Sequence, residues 1–127
     1  MLNKGLRDEE KIRIDNVLKT LRTFIFVPQP LDHLQIAEIE NQLKEFALNI
    51  ETLVKYSNKD LITLLIRLHF DFNQLEQFAD FLVDFSKIEN YHFEDKALAI
   101  YQHIQKENTV FSFGINTKIT LLNTLLQ

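Results

Sequence analysis

Cysteine is absent from the chain, and with it go disulfide staples, thiolate metal sites and cysteine nucleophiles. A chain without cysteine fits a reducing compartment. Glycine and proline occur twice each, so the glycine-rich backbone cradles that hold phosphates are excluded. No uninterrupted apolar run approaches the roughly 20 residues of a membrane-spanning helix. Residues 1–13 are polar and charged, without the apolar segment of a secretory signal. A basic stripe is missing too. Residues 1–30 carry six Lys/Arg against four Asp/Glu, whereas 31–56 and 57–86 each carry two against five. The acidic middle argues against neutralising nucleic-acid phosphates, and Lys4, Arg7, Lys11 and Arg13 form a weakly basic exception. These absences lead to the expectation of a soluble, cytoplasmic protein with no cofactor, no metal, no membrane and no nucleic-acid partner.

What the chain does have is a period. Ile36, Ile39, Leu43, Phe46, Ile50 and Leu53 alternate three and four positions apart, which sets all six on one face of a helix. The same spacing recurs in Ile14, Val17, Leu21 and Phe24, and in Leu75, Phe78, Leu82 and Phe85. It returns in Phe93, Ala97, Ile100 and Ile104, and in Ile115, Ile119, Leu122 and Leu126. The pattern predicts an all-α fold, five or six helices in a bundle or irregular helical-hairpin array. Residues 1–127 form one domain, with 1–7 as a flexible lead-in. At this length a single core is large enough to bury about two-thirds of the unfolded surface.

Helix boundaries follow from caps and breakers. The first predicted helix spans 8–26 and stops at Pro28-Gln29-Pro30. The second opens at Asp32 with Gln35 in the capping-box position and runs to Tyr56. Ser57 with Asp60 opens a third over 58–70, and Asn73 with Glu76 a fourth ending near Ser86. A polar loop over 87–92 precedes a helix at 93–107 that Asn108 closes in the left-handed conformation. Ser112 or Asn116 then caps the last helix. The third and fourth helices are apolar over more than half their circumference, which nominates them as the central hairpin.

Phe93 to Ile104 resembles the second helix of a tetratricopeptide unit: Ala97 and Tyr101 match its small residue and the aromatic four positions later. Phe78 and Ala79 match the apolar–small pair of the first helix. The resemblance covers 75–106, a single unit, with a gap between Ala79 and Ala97 about six residues longer than the family pattern. It implies a helical protein-binding scaffold and carries over no catalytic residue.

Candidate chemistry is sparse. Glu76, Asp80 and Asp84 recur every fourth residue opposite the Phe face of their helix, a stripe that fits a basic partner surface, a hard divalent cation, internal pairing or a solvated face. Leu34 and Leu48 point away from the main stripe of the second helix, beside Ala37, Asn41 and Thr52. They are candidates for a partner patch or for internal packing. Leu121, Leu122, Leu125 and Leu126 pose the same choice, and a homodimer through the second or the last helix follows from either patch. His69 falls on the apolar side of its helix, near Asp71, and is read as a core histidine or a general base. Glu89 and His92 have the Glu-x-x-His spacing of a di-iron bundle, but in one copy where two are needed. His33 and His103 read as surface residues. The expected function is a protein-interaction module, adaptor or small immunity-like inhibitor without catalytic activity. The alternative is a hydrolase or metal enzyme built around His69 or His92.

Overall fold

A computed structural model describes residues 2–25, 32–89 and 91–126, and among these residues every regular element is an α-helix. The helices are α1 (Leu2–Ile25), α2 (His33–Lys44), α3 (Ile50–Lys55), α4 (Asn58–Arg67), α5 (Phe72–Glu89), α6 (Glu94–Glu107) and α7 (Phe113–Leu125). The all-α expectation is met. The helix predicted over 8–26 starts instead at Leu2, so 2–7 belong to α1, and the predicted stop at Pro28–Pro30 lies outside the described residues.

The helix predicted over 32–56 is two helices. Asp32 and Gln35 form the expected reciprocal capping box at the start of α2. The chain then turns at Ala47, whose φ of 57° is left-handed. The N–H of Leu48 returns to the Leu43 carbonyl at 3.0 Å and that of Ala47 to Lys44 at 2.9 Å, which is Schellman closure. Asn49 restarts the chain: its side chain accepts from the Thr52 N–H, and Thr52 Oγ1 accepts from the Asn49 N–H. The apolar stripe survives the corner because Ile39, Leu43, Phe46 and Leu53 all still point into the core.

The centre of the molecule is α5. Leu75, Phe78, Ala79, Phe81, Leu82 and Phe85 are buried along it, with α1 against one side and α6 against the other. Outside these, α2 packs on α1, and both α4 and α7 pack on α6. The predicted central pairing of 58–70 with 73–86 is therefore corrected: α4 is peripheral, with Ile66 on its exposed side. Aromatic rings form a chain through the core, from Phe46 to Phe70 (centroids 4.9 Å apart), Phe78, Phe81, Phe85 (5.4 Å from Phe81) and Tyr91. Each buried Phe contributes about 1.5–3 kcal/mol of transfer free energy.

Three further boundaries differ from expectation. The capping box of α5 is Asp71 with Gln74, two residues before the Asn73–Glu76 pair. The same buried Gln74 amide donates to Asp15 Oδ1 on α1, so a long-range contact selects this box over the alternative. Helix α5 also continues to Glu89, through the first half of the predicted 87–92 loop. Buried Ser86 holds the return, accepting from the Phe93 N–H at 3.0 Å while donating to the Leu82 carbonyl. Asn108 is extended (φ −78°, ψ 131°) rather than left-handed.

Candidate functional site

Glu76, Asp80 and Asp84 do line one side of α5, but they face a junction with α1, α6 and α7 rather than open solvent. Lys118 of α7 places Nζ 2.5 Å from Glu76 Oε2 and 3.0 Å from Asp80 Oδ1. Arg22 of α1 reaches Asp80 Oδ2 at 3.4 Å and Asp84 Oδ2 at 3.6 Å. The Tyr101 hydroxyl of α6 donates to Asp80 Oδ1, and Lys118 also lies 5.7 Å from the centre of the Tyr101 ring. Three carboxylates in a row repel one another; two cations and a hydroxyl from other helices offset that repulsion. The stripe is thus an internal seam, which corrects its reading as a free partner surface. Its counter-charges lie 58 and 38 residues from Asp80, where no local spacing points to them.

The seam shifts two proton affinities. Burial drives the Tyr101 phenol well above its ordinary value, and the bond to Asp80 and the nearby carboxylate charges add to the rise. At Lys118 burial works to lower the ammonium's value, but the bonds to Glu76 and Asp80 outweigh it and the net shift is upward. Neither group is poised to exchange protons near neutrality.

The other predicted residues are scattered. Leu34 is 71 % exposed on α2, whereas Leu48 is 2 % exposed. Leu48 follows the left-handed corner and turns into the core, so it is removed from the partner patch. His69 is exposed, not buried on an apolar face: α4 ends at Arg67 and His69 takes the left-handed position (φ 72°) of a second Schellman closure. Its neighbour Asp71 is engaged by Gln74 and by Lys11 of α1. His92 and His33 are exposed, and the Glu89 side chain lies outside the described residues. Among the described residues no three His, Asp or Glu side chains converge on a metal-sized site. Of the four basic residues near the N-terminus, Lys11 pairs with Asp71 and Arg13 with Glu45, while the Lys4 and Arg7 side chains lie outside the described residues. No described helix is long and apolar enough to cross a membrane.

Sequence reasoning missed the feature that stands out most. Between α6 and α7 the chain displays Val110 (70 % exposed), Phe111 (55 %) and Phe113 (81 %), with the two phenyl rings edge to face at 5.1 Å. The backbone beneath them is held firmly. The Gln105 side-chain amide donates to the Ser112 carbonyl at 3.1 Å and accepts from the Ser112 N–H at 3.2 Å. Asn108 Oδ1 accepts from the Val110 N–H, and Ser112 Oγ accepts from Ile115 N–H as the cap of α7. The alternation of apolar and polar residues over 109–114 was the signal, and among the described residues no sheet uses it.

Two apolar depressions mark the surface, the first of them beside the end of α6 from which the tip continues. One, about 430 Å³, is walled by Ile66, Phe70, Phe72 and Leu75, with His103 and Glu107 of α6 at its edge. The other, about 280 Å³, lies where α5, α6 and α7 meet, between Val83, Lys87, Leu121 and Leu125. Of the four C-terminal leucines, Leu122 docks on the body, while Leu121, Leu125 and Leu126 are exposed. Comparison with protein-family models, with curated proteins and with solved structures finds no match to this chain.

Proposed function

We propose that this chain is a protein-interaction module, an adaptor or small immunity-like inhibitor, that docks through the Val110–Phe113 tip and has no catalytic role. The observation that carries this is the contrast between the tip's backbone and its side chains. Its backbone groups at Val110 and Ser112 are bonded within the chain, yet its large apolar side chains are left in water. Exposing such groups on an ordered loop is unfavourable for the free monomer and favourable for binding, because the ordering entropy is already spent before the partner arrives. Aromatic anchors held this way are the residue type on which interface energy concentrates.

Two sequence-based expectations belong to the same proposal. The α5–α6 hairpin is the segment with tetratricopeptide-like spacing and would be the scaffold that carries the tip. Cytoplasmic placement follows from composition. Of the residues expected to meet a partner, Leu34 stays available on the surface, Leu48 is buried, and Glu76, Asp80 and Asp84 are paired within the molecule.

The test is affinity capture with three baits: the wild-type chain, Phe111→Ser/Phe113→Ser, and Glu76→Gln. A defined binder held by the wild type and by Glu76→Gln but released by the tip variant is the expected result. Identical capture by all three baits removes the tip from the account.

A further inference from the structure

Resting on the tip as the docking element, we infer that its partner includes a second copy of this chain, whose α4–α6 groove receives it in a reciprocal, two-fold contact. Position supplies the first argument. Glu107 closes α6 and edges the groove, and the tip begins only a few residues further along. Protrusion and depression therefore sit at the same end of the molecule. A two-fold axis between them lets each copy insert its tip into the other's groove, so the contact closes on itself instead of propagating into a chain.

Area supplies the second argument. Val110, Phe111 and Phe113 on the tip, with the exposed Ile66 and Phe72 at the groove, leave apolar surface uncovered. Scaled by their exposure, the roughly 200 Å² of each Phe leaves about 350 Å² on the three rings, and Val110 and Ile66 bring this to about 500 Å² per molecule. Two copies then cover about 1,000 Å², the floor for a specific interface.

Charge supplies the third. The chain carries a net charge of −4, which opposes self-association in general. At this end the acidic side chains lining the groove are Asp71 and Glu107, and Asp71 is held by Lys11. Self-repulsion is thereby reduced there, and added salt, which screens what is left, is expected to strengthen the dimer slightly.

Sedimentation equilibrium over a wide concentration range, on the wild-type chain, Phe113→Ser and Ile66→Glu, tests the inference. Both substituted side chains are substantially exposed, and circular dichroism with thermal melting checks that the variants stay folded. The wild type is expected to dimerise, with each variant weakening the dimer at least tenfold. Mixing the two variants is expected to restore part of the association, because one tip and one groove stay intact in the mixed pair. A monomer at every concentration overturns the inference, as does a dimer unaffected by Ile66→Glu. Either outcome leaves the proposed function standing if a captured binder still depends on the tip.

Discussion

Ala47 and His69 hold left-handed backbone, and neither is a glycine. A side chain in that region suffers a clash between Cβ and the following carbonyl, worth roughly 1–2 kcal/mol. Ala47→Gly relieves it at an exposed position and is expected to stabilise the fold by about 1 kcal/mol, less the entropy that glycine loses on folding. A rise in the urea midpoint with an unchanged slope is the check. The same two residues explain where single-residue reading failed. His69 was assigned to an apolar face on a wheel that let its helix run to residue 70, but the helix ends at Arg67 and its last turn unwinds. Leu48 was assigned outward on a helix that breaks before it. With glycine so rare, the sequence does not mark either corner in the usual way. What marks the first is Asn49 with Thr52, a cap in the middle of an unbroken apolar stripe.

Among elements, the capping signals at Asp32, Ser57 and Ser112 were legible because each is satisfied within one turn. The box opening α5 is Asp71–Gln74 and not the expected Asn73–Glu76. Both Asp71–Gln74 and Asn73–Glu76 have the right spacing, and the first is chosen by contacts some sixty residues away. The α6–α7 connection shows the same limit. Its residues fall between two predicted helices, but nothing local disclosed that Gln105, in the last turn of α6, pins Ser112. Gln105→Ala removes both bonds and is expected to cost about 1 kcal/mol of stability. Its sharper signature is faster amide hydrogen exchange at Ser112, with the protection of the α5 core unchanged. Equal loss of protection in both places would mean that the clamp supports the whole fold rather than the tip.

For the molecule as a whole, α5 is the element against which the others are organised, and the carboxylate seam joins it to three of them. Tyr101 and Lys118 both hold their protons more tightly folded than unfolded, from ordinary values of 10.0 and 10.5. Their contribution to stability is therefore complete below about pH 10 and is lost as pH rises through the ordinary values toward the folded ones. Urea unfolding across the alkaline range is expected to show a falling midpoint, and Tyr101→Phe to make the fall shallower. An unchanged alkaline slope in that variant would place the sensitivity elsewhere. The all-α class was visible in the periodicity alone. The assembly order of the helices was not, because it depends on which faces find each other across the chain.

Asp80 accepts from residues on three other helices, so altering it takes one partner from Arg22, Tyr101 and Lys118 at once. In any set of sequences descended from a common ancestor with this one, those four positions are expected to drift as a group. A change of sign at one is expected to be answered at another, whereas exposed polar positions of α2 are expected to vary independently.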